Sequence, residues 1–393
     1  MKRAIPPGVW VLGFVSLLMD TSSELIHALL PLYMVDALGA SVLIVGVIEG
    51  VAEAIALIVK IFSGYWSDVF GRRKPAVLAG YGLAALSKLA FPLAPSLGFV
   101  VAGRFADRVG KGIRGAPRDA LVADLTPPAI RGAAFGLRQA LDSVGAIAGP
   151  LLAVAAIAYF AGNFRAAFWV ALVPAVLCVA LLAFGVQEPD ASTVKNAGKR
   201  VAWRDAARLG NPFFVVTAIA SVLTLARFSE AFLVLRAQDV GMGPTGAPWV
   251  MVAMSLVYAV FAYPAGRLAD RGHATSLLSA GLGVLVASDV VLGLAHAGRG
   301  AIAGAALWGL HMALTQGLLA ALVAATAPSD LRGTAFGVFN LASGIALLVA
   351  SALAGYLWQA VGPPSTFFAG AAITAVAFGA LMLYRARVPT LSR

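Results

Sequence analysis

The sequence predicts an all-α membrane protein of twelve transmembrane helices in two pseudo-symmetric six-helix bundles, and three observations carry that reading. The first is composition. Of 393 residues 60% are hydrophobic and 12% charged, with a mean hydropathy of +0.89, too apolar for a water-soluble chain of this length. The second is a series of twelve apolar stretches, each long enough to cross the hydrocarbon of a bilayer as a helix. The third is internal repetition: Arg131-Gly132-Ala133-Ala134-Phe135-Gly136 matches Arg332-Gly333-Thr334-Ala335-Phe336-Gly337 at a shift of 332 − 131 = 201, and Gly64 to Asp68 matches Gly266 to Asp270 at 266 − 64 = 202. Two motifs at nearly one spacing indicate a duplicated six-helix unit, with substrate expected between the halves near the midplane.

In chain order the spans of the first half are Val9 to Ala37, Val42 to Trp66, Pro75 to Leu93, Leu97 to Val122, Ala133 to Phe160 and Ala167 to Val186. Those of the second half are Pro212 to Ala237, Trp249 to Leu268, Ala274 to Ala295, Ala301 to Ala325, Ala335 to Trp358 and Ser365 to Tyr384. Lys2 and Arg3 precede an apolar run with no small-residue cleavage pattern, so that run is expected to stay as the first helix. The polar, basic stretch from Gln187 to Gly210 divides the chain into a bundle at 1–187, a cytoplasmic linker at 188–210 and a bundle at 211–393.

Loop charge sets the orientation. With both termini cytoplasmic, Arg72, Arg73, Lys74, Arg131, Arg204, Arg208, Arg271, Arg332 and Arg385 fall inside, against Arg165 and Arg299 outside. The same rule accounts for much of the +11 net charge and the pI near 10.1. In a soluble chain that charge would point to nucleic acid, but no zinc finger, glycine-rich phosphate loop or basic tail is present, and no nucleic-acid partner is expected. The single cysteine, Cys178, lies in an apolar run, which excludes a disulfide framework and a thiolate metal site and leaves packing.

Function is expected around Gly103 to Asp124, GRFADRVGKGIRGAPRDALVAD, which places cations inside a span. On helical spacing Arg104, Arg108, Lys111 and Arg118 form one stripe, with Asp107 and Arg114 beside it. One Arg or Lys at the bilayer centre costs roughly 2.5 to 3.5 kcal/mol, so this helix must face a watery cavity or opposing carboxylates. Candidate carboxylates are Asp20 and Glu24, on one face of the first span with His27, and Glu49 and Glu53 on the second, placed either at the cavity mouth or in the network. Arg108 is expected to hold Asp20 or Glu24 ionised; Arg138 and Asp142, four apart, read as a structural pair.

Three segments resemble motifs of the major facilitator superfamily. GYWSDVFGRRK, Gly64 to Lys74, resembles its signature loop between the second and third helices, with an echo in GRLADRG, Gly266 to Gly272. RVGKG, Arg108 to Gly112, resembles its fourth-helix arginine motif, with Lys111 where a glutamine is usual. GAIAGPLL, Gly145 to Leu152, resembles the opening of the fifth-helix motif of the drug:proton antiporter branch, with Ala153-Val154 in place of the closing glycine pair. The resemblance implies the fold of that superfamily and a cytoplasmic latch in which Asp68 meets the start of the eleventh helix near Arg332 while Arg72 pairs with Asp124.

The second half lacks the cation ladder: a shift of 201 puts Ala305, Gly309 and Thr315 where Arg104, Arg108 and Arg114 stand. Its exception is ARFSEAFLVLRAQD in the seventh span, where Arg227 and Glu230 are three apart, followed by Arg236. Phe228, Phe232 and Trp308 are candidates for the cavity wall. With no nucleophile–base motif, an enzyme is not expected. The leading expectation is a monomeric secondary transporter of a bacterial inner membrane that exports a small amphipathic or charged compound against protons, with no cofactor beyond the proton gradient. The alternative is proton-coupled uptake of an organic anion or a metal-chelating metabolite, which Arg104, Arg108 and Arg114 would suit; a non-transporting receptor or membrane enzyme is the distant third.

Overall fold

The computed structural model describes residues 5–70, 72–187, 208–328 and 331–387, and the described residues form helices and no strands. The first half contains α1 (Pro7–Leu32, continued by a π turn, Tyr33–Ala37), α2 (Val42–Phe70), α3 (Arg73–Ser87), α4 (Leu97–Asp124), α5 (Arg131–Tyr159) and α6 (Phe164–Gly185). The second contains α7 (Asn211–Leu225), α8 (Ala231–Asp239), the single turn α9 (Gly243–Gly246), α10 (Trp249–Leu268), α11 (Ala274–Gly293), α12 (Gly298–Thr326), α13 (Arg332–Ala360) and α14 (Pro363–Arg387). Each expected span is present, with one change: the seventh is two helices, α7 and α8, separated by unwound chain at Ala226–Glu230.

The duplication shows within each half. In the first, α1 lies against α5 and α6, and α3 against α4 and α6; in the second, α7 lies against α13 and α14, and α11 against α12 and α14. Gly272, one residue before the position that a shift of 202 gives for Gly71, has φ 89° and makes the turn between α10 and α11 that a side chain would strain. Residue 71 itself lies outside the described residues, as do residues 188–207 of the expected linker.

The chain divides into two compact units, Met1–Tyr33 with Val51–Val201, and Met34–Gly50 with Ala202–Arg393. Met34–Gly50, which the sequence places in the first bundle, groups with the second unit. Small residues explain this. A Cβ on Gly50 would lie 2.9 Å from Leu348 Cα of α13, so the first part of α2 sits backbone to backbone on that helix. In the first unit Val9, Leu12, Val15 and Met19 of α1, Tyr81 of α3, Leu121 of α4 and Leu182 of α6 form the core. Cys178 is part of it, with Sγ donating to Val15 O at 3.2 Å, the packing role its apolar surroundings predict.

Candidate functional site

The buried charges of the first unit converge on Asp107. Its Oδ1 accepts a hydrogen bond from Lys88 Nζ at 2.7 Å, and its Oδ2 lies 3.7 Å from Arg108 Nε and 3.8 Å from Arg104 Nη1. Glu53 of α2 closes the other side, with Oε1 3.1 Å from Arg108 Nη1 and 4.0 Å from Arg104 Nη2. Lys88 Nζ also donates to Ser23 Oγ of α1 at 2.9 Å. One cluster thus ties together α1, α2, the end of α3 and α4. It gathers three cations and two carboxylates. Arg104 and Arg108 are 1% and 2% exposed whereas the Glu53 side chain is 26% exposed, so Glu53 is the member that water or a ligand reaches first.

The cation stripe does not act as one ladder. Lys111 is exposed. Arg114 is buried with its guanidinium 4.7 Å from the centre of the Tyr81 ring, a cation–π contact that holds α4 on α3. Arg118 donates to Ser16 Oγ at 3.3 Å and to Asp119 Oδ1 at 3.1 Å, nearer the end of the helix.

Arg108 pairs with Glu53 and Asp107, while Glu24 Oε2 lies 3.3 Å from His27 Nδ1 on the same helix. Asp20 has the carboxyl group of Asp142 on α5 as an electrostatic neighbour. Asp142 Oδ1 is also 3.6 Å from Arg138 Nη1, so the pair read as structural reaches the candidate site through Asp20.

What brings α5 so close is its pair of glycines. A Cβ on Gly149 would lie 2.6 Å from Glu24 Cβ and 2.8 Å from Thr21 O; one on Gly145 would lie 3.1 Å from Asp20 Cβ. The two glycines of the antiporter-like segment are therefore the seats of the two carboxylate-bearing turns of α1.

The expected latch is shifted by one residue. Arg72 caps α3 in extended conformation (φ −127°, ψ 114°) and is exposed, while Arg73, the first helical residue, is buried with Nε 3.4 Å from Asp124 Oδ2. The side chains of Asp68 and Arg332 lie outside the described residues. Lys74 donates to Ala183 O at 2.8 Å.

In the second unit Arg227 and Glu230 flank unwound chain rather than a helix face. The freed backbone is satisfied by hydroxyls, with Ser229 N donating to Ser351 Oγ at 3.1 Å and Ala231 N to Ser229 Oγ at 3.3 Å. Phe228 meets Phe232 and Phe367 edge to face and Trp308 at a tilt, so these aromatics form a buried cluster. Arg236 is structural: it donates to Leu292 O, Gly293 O and Ala295 O at the end of α11 and pairs with Asp239. Glu49 is fully buried and belongs to the second unit.

Two ionisable residues escaped the sequence reading, Lys88 and Asp289. Each had a signal, since each is the single charge in its apolar run, between Pro75 and Leu93 and between Ala274 and Ala295.

The family model for the Major Facilitator Superfamily matches residues 12–235 and 227–393, which is nearly the whole chain. The chain belongs to the major facilitator superfamily. Among its relatives in that superfamily is the Uncharacterized MFS-type transporter MJ1317 of Methanocaldococcus jannaschii, 34% identical over 391 residues and covering 97% of this chain and 96% of the relative. The Multidrug resistance protein MdtH of Citrobacter koseri is 28% identical over 270 residues, 68% of this chain and 66% of MdtH. The fold matches that of a POT family transporter solved in complex with a thioalcohol-conjugated peptide, with a TM-score of 0.80 at 15% identity over 99% of this chain and 97% of that one. The protein is thus an integral membrane transporter of the superfamily and not an enzyme.

Proposed function

We propose that this transporter exports a small amphipathic or charged compound in exchange for protons, by alternating access, as a monomer in a bacterial plasma membrane with both termini cytoplasmic. The observation that carries the reading is the seating of Asp20 and Glu24 against Gly145 and Gly149. Asp20 and Asp142, neighbouring carboxyl groups on α1 and α5, would hold one proton between them, and a shift between these helices would change who holds it. Glu24, 23% exposed, and Glu53, 26% exposed, offer carboxylates to a cationic group of the substrate. The multidrug resistance protein among the relatives agrees with a substrate of this kind. One charge crossing about 100 mV supplies roughly 2.3 kcal/mol, so no nucleotide is required.

Organic-anion uptake is the second reading, favoured by the three cations gathered around Asp107. Everted membrane vesicles with an acidic lumen separate the two. An exporter accumulates an amphipathic cationic dye in the lumen and alkalinises it. Uptake of a fluorescent organic anion into right-side-out vesicles under an inward proton gradient, without dye transport, would replace the first reading by the second. Gradient-driven flux of neither would overturn both.

A further inference from the structure

Asp289 lies on α11 with no exposed surface, and neither of its carboxyl oxygens has a hydrogen-bond partner. The surroundings are closed and apolar. A Cβ on Gly370 of α14 would lie 2.7 Å from Asp289 Oδ2 and 3.2 Å from Phe228 Cε1, so the carboxyl and the Phe228 ring both rest on that glycine. The hydroxyl next to it in sequence is engaged elsewhere, Ser288 Oγ donating to Gly304 O of α12 at 2.8 Å.

The ionisable groups on the elements around α11 are spoken for or set aside. Arg236 is bound to the carbonyls at the end of α11 and to Asp239. His311 of α12 has Nδ1 2.8 Å from Gly281 O, about two turns from Asp289. Arg227 and Glu230 flank Phe228 in the unwound segment. Among the described residues, none of these forms an ion pair or hydrogen bond with Asp289.

An ionised carboxylate buried without donor or cation costs several kcal/mol, and an apolar side chain would fill the same space without that cost. Such surroundings favour the neutral acid, which contributes nothing to the packing that a hydrocarbon would not. Phe228 sits between α7 and α8, where turns and side-chain hydroxyls hold the backbone in place of a continuous helical ladder.

We propose that Asp289 is a second proton-carrying site, in the C-terminal unit, closed by Phe228 and opened when the segment Ala226–Glu230 shifts. On opening, the O–H bond of the acid breaks and the proton passes to water; on the opposite side of the cycle the carboxylate takes a proton back before Phe228 covers it. The role of that proton in transport rests on the proton coupling proposed above, whereas its presence on Asp289 does not.

Infrared spectra of the full-length protein in lipid test this, taken alongside gradient-driven dye accumulation. The wild-type spectrum should contain a carbonyl stretch of an un-ionised, weakly hydrogen-bonded acid that is lost in Asp289→Asn. In Phe228→Ala, where water reaches the carboxyl, the same band should disappear on alkaline titration at a lower pH than in the wild type. Asp289→Asn should also lower gradient-driven accumulation about tenfold or more. A carbonyl region unchanged in Asp289→Asn, or a Phe228→Ala band that titrates like the wild type, overturns the protonated, lidded acid. Loss of the band with wild-type accumulation overturns its part in coupling. Absence of flux in the wild type would instead count against the proposed export, and the spectra would still decide the state of Asp289.

Discussion

Lys88 Nζ lies 2.7 Å from Asp107 Oδ1 with both side chains out of water, 1% and 3% exposed. An ion pair so placed gains little net stability over an apolar pair, but removing one partner strands the other charge. Lys88→Met should therefore lower the unfolding free energy by about 3–5 kcal/mol. Adding Asp107→Leu to it should recover much of the loss. Thermal unfolding of the purified variants in one detergent checks this; a double variant no more stable than the single would show that Asp107 finds enough compensation in Arg104 and Arg108.

The shifted latch gives a second contrast. Arg73 is buried against Asp124 and Arg72 is exposed at the helix cap, so the two neighbouring arginines should differ sharply on substitution. Arg73→Gln should cost about 1–3 kcal/mol, the range for leaving a partly buried acceptor unpaired, and Arg72→Gln no more than about 0.5 kcal/mol. Asp124→Asn should behave like Arg73→Gln. Chemical denaturation of the three variants decides it, and equal losses at 72 and 73 would return the latch to Arg72.

Some of this was readable from the sequence and some was not, for physical reasons. Span positions were legible because lipid demands an uninterrupted apolar run, and those runs are local. The break at Ala226–Glu230 was not, since Arg227 and Glu230 at a spacing of three look like an ordinary helical pair and the break is held by Ser351, 122 residues away from Ser229. The stripe of cations on α4 was legible as a problem but not as a solution: periodicity shows which residues share a face, whereas Glu53 and Lys88 reach Arg108 and Asp107 from other helices. Arg72 and Arg73 differ by one residue in the register of a helix start, which no pattern of polarity fixes. Lys88 and Asp289 were visible as lone charges in apolar runs, and a lone charge deserved the weight that was given to the clustered ones.

The contact of α5 with α1 leaves no room at Gly149, where even one methyl group would meet Glu24 Cβ at 2.6 Å and Thr21 O at 2.8 Å. Neither obstacle is the end of a flexible side chain, so Gly149→Ala must push the helices apart. Overpacking of this kind costs about 1–3 kcal/mol. The variant should unfold at lower temperature and accumulate dye more slowly, whereas Gly136→Ala, on the same helix with open space at its Cβ position, should do neither. A Gly149→Ala protein with wild-type stability and flux would remove the close approach from the mechanism.

The coupling reading turns on Asp20 and Asp142, neighbouring carboxyl groups on α1 and α5 that would carry one proton between them. Asparagine at position 142 supplies a permanent N–H donor in nearly the same shape, so Asp142→Asn should preserve the contact without the mobile proton. If the shared proton is the one exchanged for substrate, Asp142→Asn keeps dye equilibration down its own concentration gradient but loses accumulation driven by the pH gradient. Glu24→Gln, which removes a charge 3.3 Å from His27 rather than a shared proton, should weaken binding of cationic dyes while accumulation of neutral ones stays dependent on pH. Flux measured with cationic and neutral dyes, with and without an imposed pH gradient, resolves the two roles. Gradient-driven accumulation at the wild-type rate in Asp142→Asn would show that the pair is structural, and the exchanged proton would then have to be sought at Glu53 or Asp289.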